Sequence, residues 1–489
     1  MAFHRRPFLE MALACALLLS CGPADPPRPS TAVSPSPTST SASASGPTGP
    51  NPETVATAIT EAGLARRLAE LEAITREADG YRSLGSAGYA RAVGYLKSEL
   101  GALGWTVSTD AFGADVFAPG VGGSLVAGTS TFDGDTMRPL RFAPGGTAEG
   151  PLAALGWSPG PASAGCAAKD YASLPAKAVV VVRAHWECTV RDEVIAAQEA
   201  GVAAFIAADA VPPSDVVPMI DLQTPAGLRI PAAAVSWNTA LLLVGQAEQR
   251  VRARLETHAV TRTVPTESVI ADLPGVDASR VLIVGAHLDS SPYGPGLNDD
   301  GSGVAALLEL ARALGGTRPR VGIRLAFWAA EENGLSGSGH YLGALGLSGL
   351  RSIVAYLNAD MIGAANGYVG VYADPSAPPG SSSIATLIAA AIQRHGGAFV
   401  DVDMTGTSDH WVFEQAGIPT GGVFGGAGDR VTAAEATTQG ANAGQPADAC
   451  YHTRCDTSAN VRLPLARLLA AALADAAVRL AEDTSLLAP

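Results

Sequence analysis

The chain has 489 residues, of which 47% are hydrophobic, and its 32 basic and 46 acidic residues give a formal net charge of −14. This length allows more than one domain with a large core. The acidic balance argues against a nucleic-acid partner, which needs a basic face. No run of 18 or more apolar residues occurs, so the sequence predicts no membrane-spanning helix.

The N-terminal segment is typical of an export signal. Arg5 and Arg6 precede an apolar run, Phe8 to Leu19, that is too short to span a membrane. The run ends in LLSC (Leu18–Cys21), which resembles a bacterial lipobox and implies that Cys21 carries lipid. We therefore expect residues 1–21 to be a lipoprotein signal. The protein is then expected to be exported and to be held at the cell surface or membrane by its lipid anchor only. An ordinary secretory signal, giving a secreted protein, is the alternative, and the Sec and twin-arginine routes both stay open.

A tether and two disulfides are expected beyond the signal. Residues 22–53 are rich in Pro, Ser and Thr and cannot bury enough apolar surface to fold, so we expect a disordered linker. Four cysteines follow, an even number that predicts two disulfides in an oxidising compartment. We expect near neighbours to pair, Cys166 with Cys188 and Cys450 with Cys455. A cysteine-based metal site is the alternative, but the spacing is not that of a zinc ribbon.

The first folded segment is predicted to be helical, and a different pattern follows it. Apolar residues recur at helical spacing over Ala65–Ile74 and Tyr89–Leu103, and a strand begins at Gly104. From about residue 117 to 262 the chain is rich in Gly, Pro and short β-type runs. Within this stretch we predict a strand at Ala178–Val182 and a helix at Val194–Ala204.

The middle stretch resembles the protease-associated (PA) domain. The resemblance is carried by Gly165 to Asp209, where a strand, a cysteine-bearing turn and a helix ending in Ala-Gly occur in that order. We therefore expect residues 117–262 to be a β-rich PA-like insertion between two parts of another domain, residues 54–116 and 263–489. A generic α/β insertion with the same boundary is the alternative. The resemblance implies a domain that covers or flanks an active site.

The chain then returns to strands that alternate with helices. This alternation predicts an α/β fold with a mixed, mostly parallel sheet sandwiched by helices. The strand runs are continuously apolar, as expected for strands buried on both faces. We predict strands at Val269–Leu273, Val281–Gly285, Ile323–Ala329, Ile353–Asn358 and Gly421–Gly425, and helices at Val304–Leu314, Ile384–His395 and Leu465–Ala481.

Residues with metal-ligand side chains follow three of these strands. In such sheets, ligands bind outside the carboxyl ends of the strands, so these side chains are expected to meet. Two imidazoles and three carboxylates are what a pair of Zn²⁺ ions takes as ligands, and a further adjacent carboxylate suits a proton acceptor. A lone Asp or His is usually an ordinary surface residue, but the shared position at strand ends favours a site. The candidates are His287, Asp299, Glu332, Asp360 and His452, with Glu331 as the acceptor.

Five segments together resemble the di-zinc aminopeptidases of peptidase family M28. They occur in the order of the family and imply its zinc-exopeptidase fold, which is phosphorylase/hydrolase-like, over roughly Val55 to Glu482. The segments are AHLDS (Ala286–Ser290), GLNDDGSG (Gly296–Gly303), WAAEENGLSGS (Trp328–Ser338), LNADMIG (Leu357–Gly363) and CYHTRCDT (Cys450–Thr457).

The resemblance assigns the ligands position by position. It implies that His287 and Asp360 hold one Zn²⁺, that Glu332 and His452 hold the other, and that Asp299 bridges both. Two Zn²⁺ ions are therefore the expected cofactors, although cobalt or manganese also suits such ligands.

Other residues acquire roles through the same resemblance. Glu331 matches the general base, Asp289 the carboxylate that orients His287, and Tyr451 the phenol that stabilises the oxyanion. The bond between Asp299 and Asp300 matches one held in the cis form, while Asp300 also suits the cap of the next helix. The Cys450–Cys455 disulfide is expected to fix the loop that carries Tyr451 and a ligand.

These features predict a metalloaminopeptidase that releases N-terminal apolar residues from peptides with a free N-terminus. Some relatives carry Arg where this chain has Thr407, which leaves open how substrate is held there. A same-fold carboxypeptidase is one alternative, but it needs basic residues for the terminal carboxylate and no marked basic cluster lies near the motifs. A glutaminyl cyclase with a single zinc, and a non-catalytic surface binding lipoprotein, are the others; both are disfavoured by the complete ligand set.

Overall fold

A computed structural model describes residues 48–118, 123–157, 165–183, 188–208, 217, 218, 220, 222, 225–258 and 260–488. The expected lipidation site Cys21 and most of the expected tether lie outside these residues. Within the described ranges, no helix has both the length and the apolar character that crossing a bilayer requires.

The described chain contains eleven α-helices and sixteen strands in two sheets. The helices are α1 (Pro52–Ala58), α2 (Glu61–Arg76), α3 (Ala87–Ala102), α4 (Val190–Glu199), α5 (Trp237–Glu248), α6 (Gly301–Ala313), α7 (Ser336–Ser352), α8 (Ser381–Arg394), α9 (His410–Gln415), α10 (Ala433–Gln439) and α11 (Leu463–Glu482). The strands are β1 (Thr106–Ala118), β2 (Ser124–Ala127), β3 (Ser130–Asp133), β4 (Met137–Pro139), β5 (Gly146–Leu155), β6 (Val179–Arg183), β7 (Ala204–Ala208), β8 (Ala232–Val235), β9 (Arg252–Thr257), β10 (Val260–Leu273), β11 (Asp277–His287), β12 (Val321–Trp328), β13 (Ile353–Asp360), β14 (Gly370–Tyr372), β15 (Val400–Val402) and β16 (Thr420–Phe424).

The first sheet has the strand order β1-β10-β12-β11-β13-β16-β14-β15. Its centre, β12-β11-β13-β16, is parallel, and antiparallel pairs join β1, β10 and β14 to it. The expected mixed, mostly parallel sheet is therefore present. Because β11, β12 and β13 are parallel neighbours, their carboxyl ends open on the same edge.

Helices cover both faces of this sheet. On one face, α6 and α11 bury apolar stripes that include Leu307 and Leu473 against the central strands. On the other face, α7 and α9 place Tyr341 and Phe413 against the ring of Trp328. Burial on both faces explains why these strands are continuously apolar in sequence.

The second sheet is built from strands β2 to β9, in the order β3-β2-β9-β5-β6-β7-β8-β4. It has its own apolar cores, and α4 and α5 pack on it. The chain leaves and re-enters the first sheet through β1 and β10, which pair antiparallel from Thr106↔Asp272 to Ala118↔Val260. The second sheet is thus an insertion between two neighbouring strands of the first.

Both predicted disulfides are present, Cys166–Cys188 and Cys450–Cys455. Each predicted helix and strand also has a counterpart, with two differences in bounds. The helix predicted at Val194–Ala204 is α4, which ends at Glu199, and Ala204 begins β7. Strand β10 begins nine residues before the predicted Val269. Its first half is mostly exposed and carries no apolar run. Helix α7 was not predicted, because its many glycines lower helix propensity and it is kinked at Gly346, where φ is 63°.

Candidate metal centre

The candidate ligands converge where the parallel strands end. His287 is the last residue of β11, Asp360 is the last residue of β13, and Glu332 follows β12 within four residues. Asp299 precedes α6, whose N-cap Asp300 accepts a hydrogen bond from the Gly303 N–H at 2.9 Å. The Asp299–Asp300 peptide bond is cis, as expected. The fifth residue, His452, comes from the loop that the Cys450–Cys455 disulfide closes.

These five side chains form two groups that share one carboxylate. His287 Nε2 lies 3.1 Å from Asp299 Oδ1 and 3.6 Å from Asp360 Oδ1. His452 Nε2 lies 2.6 Å from Asp299 Oδ2 and 3.0 Å from Glu332 Oε1. Within each group the ligand atoms lie within 4.8 Å of one another. The two oxygens of Asp299 therefore face different groups, which is the geometry of a bridging carboxylate.

Each buried carboxylate of the set keeps one oxygen without a hydrogen-bond partner among the described residues. These atoms are Asp299 Oδ2, Glu332 Oε1 and Asp360 Oδ1. The residues are 4–8% exposed, and a buried carboxylate oxygen without a partner is costly. The second oxygens of Glu332 and Asp360 have partners, Arg141 and Ser408. The unpartnered oxygens face the two imidazoles, so the donor set fits metal ions of the zinc type.

The charges of the site also favour a cation. Burial lowers the pKa of His452, but the carboxylates of Glu332 and Asp299 outweigh that effect and raise the pKa to about 10. Glu331, Asp299 and Asp360 raise the pKa of His287 in the same way, well above its usual value. The excess negative charge thus holds protons on the imidazoles, and a metal ion would replace those protons.

Glu331 and Asp289 lie beside the ligands but differ in their contacts. Glu331 Oε2 is 4.0 Å from His287 Nε2, and burial raises the pKa of Glu331 well above its usual value. The backbone carbonyl of Asp289 lies 3.0 Å from His287 Nδ1, whereas its carboxylate is 3.8 Å away. That carboxylate accepts the backbone N–H of Glu331 at 3.2 Å. Asp289 therefore contacts the imidazole through its backbone and the expected base through its side chain.

A chain of buried hydrogen bonds holds Asp360 from behind. Trp328 Nε1–H donates to the Tyr356 hydroxyl, which donates to Asn358 at 2.7 Å. The Asn358 amide donates to Ser408 Oγ at 2.9 Å, and Ser408 donates to Asp360 Oδ2 at 2.7 Å. The sequence places Ser408 in a segment, Thr405 to His410, that resembles a substrate pocket of the family. It did not reveal the support of Asp360, because Ser408 is distant along the chain from that strand end.

A second support was also missed, although its residue lies in the recognised CYHTRCDT segment. Asp456 accepts the backbone N–H of Asn298 at 2.8 Å and that of Asp299 at 3.1 Å. It is 1% exposed. The disulfide loop therefore supplies His452, and the residue directly after it fixes the backbone of Asp299.

Tyr451 lies at the mouth of the site. Its ring stacks on His452 with centroids 3.8 Å apart, and the side chain is 36% exposed. Partial burial and the carboxylates of Asp299 and Glu332 raise its pKa well above 10. The phenol is therefore protonated at neutral pH and is a hydrogen-bond donor.

A cavity of about 730 Å³ opens over the ligands. Its apolar wall is formed by Met361, Tyr368, Val402, Met404 and Phe424. Thr407 also lines it. The lining includes many carboxylates, and its only Lys or Arg among the described residues is Arg141.

The fold and the ligand set define the class, an α/β protein with a candidate two-metal centre at the carboxyl ends of its strands. Residues 268–477 match peptidase family M28, and residues 148–243 match the PA domain. The chain is 34% identical over 413 residues to the probable lipoprotein aminopeptidase LpqL of Mycobacterium tuberculosis, covering 81% of this chain and 80% of that protein. It is 31% identical over 415 residues to an aminopeptidase of Pseudomonas aeruginosa, covering 82% and 77%. The chain therefore belongs to peptidase family M28 and carries a PA domain.

Solved structures share the fold over most of the chain. An aminopeptidase from Aneurinibacillus sp. strain AM-1 matches with a TM-score of 0.71 at 21% identity, covering 88% of this chain and 96% of that one. BSAP, a zinc aminopeptidase from Bacillus subtilis, matches with a TM-score of 0.67 at 23% identity, covering 86% and 95%. At these identities the likeness establishes the fold.

Proposed function

We propose that this protein is a di-zinc aminopeptidase that releases N-terminal apolar residues from peptides. The observation that carries the proposal is Asp299, whose two oxygens face two separate groups of ligand atoms. Such an arrangement suits a pair of metal ions that share one carboxylate. The relatives named as aminopeptidases support the activity, and the solved structure named as a zinc aminopeptidase supports the metal.

His287 and Asp360 would hold one zinc and Glu332 and His452 the other, with Asp299 between them. Zinc bound there supplies a water of lowered pKa and polarises the scissile carbonyl.

The residues of the chain perform the proton transfers and stabilise charge. Glu331 accepts the proton of the attacking water and delivers it to the leaving amine nitrogen. The Tyr451 hydroxyl donates a hydrogen bond to the oxyanion that develops on the carbonyl. The Asp289 carboxylate holds the backbone of the base in place.

The cavity supports the substrate class. Its apolar wall suits an apolar side chain, and its carboxylates suit the ammonium group of a free N-terminus. A carboxypeptidase is disfavoured, because Arg141 is bonded to Glu332 and is the only Arg or Lys of the described lining. A glutaminyl cyclase with a single zinc is disfavoured, because it needs only one of the two groups of ligand atoms.

We also propose how the chain divides into domains and where the protein lies in the cell. The peptidase domain comprises residues 54–116 and 263–489, and the PA domain comprises residues 117–262; the position of β2 to β9 between β1 and β10 supports this division. Export and lipid anchoring at Cys21 are supported by a relative named as a lipoprotein aminopeptidase. Peptides are the proposed partners, with no nucleic acid.

The test is hydrolysis of leucine p-nitroanilide, free and N-acetylated, by protein that is loaded with zinc, stripped by chelation and reloaded. The proposal expects cleavage of the free-amine substrate only, loss of activity on chelation and recovery with zinc. No cleavage by fully loaded protein would refute it for leucine-type substrates. Cleavage of the acetylated form would identify an enzyme that ignores the terminal amine.

A further inference from the structure

Among the described residues of the proposed PA domain, Arg141 places its side chain at the metal centre. Arg141 follows β4, and its backbone is fixed within its own domain by hydrogen bonds to Ile220 at 3.0 Å and from Leu222 at 3.2 Å. Its side chain extends from that domain towards the ligands, where it is buried and lines the cavity. A buried guanidinium is costly unless it is paired, so its contacts contribute to holding it there.

Two contacts of the Arg141 side chain reach one proposed ligand, Glu332. Its Nη1 lies 3.4 Å from Glu332 Oε2, and its Nη2 donates to the backbone carbonyl of Glu332. The other carboxylate oxygen, Oε1, faces His452 at 3.0 Å. The planar guanidinium therefore contacts both the side chain and the backbone of Glu332, and it leaves one oxygen of the carboxylate directed at the metal site.

The backbone beside Arg141 gives an independent indication. Among the described residues, seven that are not glycine have a positive φ. Five of these line the cavity or adjoin a residue that lines it. Left-handed backbone at such residues persists only where surrounding structure enforces it, and it concentrates at functional sites. The five are Phe142, Ala330, Leu335, Met361 and His452, and Phe142, next to Arg141, has φ 65°.

We propose that Arg141 is a positioning residue of the metal centre: the PA domain uses it to hold Glu332 with Oε1 directed at the metal. The proposed PA domain then forms part of the active site. This inference rests on the proposed role of Glu332 as a metal ligand.

The test measures zinc affinity without turnover. Metal-free wild type, Arg141→Met and Arg141→Lys are titrated with zinc against a chromogenic chelator, after thermal unfolding has shown that each is folded. Loss of a residue that orients a metal ligand typically weakens metal binding about 10–100-fold, and we expect that loss at one of two zinc sites in Arg141→Met. Arg141→Lys should recover part of it, because an ammonium group keeps the charge but cannot bridge two acceptors.

Arg138→Met is the matched control. Arg138 lies on β4 of the same domain and packs over the ring of Tyr293, with its guanidinium carbon 5.2 Å from the ring centroid. It thus contacts the peptidase domain without contacting a proposed ligand, and its loss should leave zinc affinity unchanged. If Arg141→Met does not fold, the comparison between Arg141→Lys and wild type decides.

Two results would overturn the inference. Unchanged zinc affinity in the Arg141 variants would show that the contact is incidental. Tighter binding in Arg141→Met, with wild-type affinity in Arg141→Lys, would show that the residue acts as a repelling charge.

A wild type that binds zinc but cleaves no free-amine substrate would instead refute the proposed function, and the affinities of the variants would still decide the role of Arg141.

Discussion

Replacement of Asp456 is expected to damage both stability and the metal centre. This carboxylate is buried and accepts the backbone N–H groups of Asn298 and Asp299. In Asp456→Ala both groups would remain buried without that acceptor. Because an unsatisfied buried donor costs about 1–3 kcal/mol, the free energy of unfolding should fall by about 2–6 kcal/mol. Asp456→Asn retains one carbonyl acceptor and should lose about 1–3 kcal/mol.

The assay is urea unfolding followed by tryptophan fluorescence, with zinc retention measured on the folded variants. Asp483→Ala is the matched control, because Asp483 accepts the N–H of Ser485 at 3.0 Å in an exposed turn. Its removal should change stability by less than about 0.5 kcal/mol. If Asp456→Ala were as stable as this control and retained zinc like wild type, Asp456 would not be the residue that holds the backbone of Asp299.

Three further predictions concern other supports of the structure. Ser408→Ala removes the donor to Asp360 and should lower zinc affinity about 10–100-fold while leaving the protein folded, as measured by chelator competition. Replacement of Cys450 and Cys455 by serine should lower stability by about 2 kcal/mol and hasten zinc loss, as measured by thermal unfolding and metal content. In the PA domain, burial raises the pKa of Glu193 to about 8 from 4.5. Between these values the folded state holds a proton that the unfolded state has lost, so Glu193 should lower the free energy of unfolding as pH rises from 5 to 8, by up to about 1.4 kcal/mol per pH unit. Glu193→Gln should remove this contribution, measured as the difference between the pH slopes of wild type and variant in urea unfolding.

The sequence predicted the parts of the fold that depend on local pattern. Continuous apolar runs marked β11, β12 and β13, and metal-ligand side chains at their ends marked the site. Strand ends are informative because parallel neighbours bring their carboxyl ends together whatever their separation in sequence. Near-neighbour cysteine pairing was also correct, since short loops close readily.

The supports of the site could not be predicted in the same way. Ser408, Asp456 and Arg141 act through hydrogen bonds to residues that are far away in the chain, and no periodicity marks such contacts. Arg141 follows β4 of the second sheet, so its approach to Glu332 depends on how the two sheets pack. The first half of β10 was not predicted, because it is mostly exposed and therefore lacks an apolar run.

The most direct test of the central claim is the zinc content of wild type, Glu331→Gln and Glu332→Gln after equilibration with zinc, together with kcat for leucine p-nitroanilide. We expect two zinc ions per chain in wild type and in Glu331→Gln. The kcat of Glu331→Gln should be reduced about 10²–10⁴-fold, because only proton transfer is lost. Glu332→Gln should hold one zinc ion firmly, since it lacks a ligand of one group only. Two firmly held ions in Glu332→Gln, or wild-type kcat in Glu331→Gln, would contradict the account.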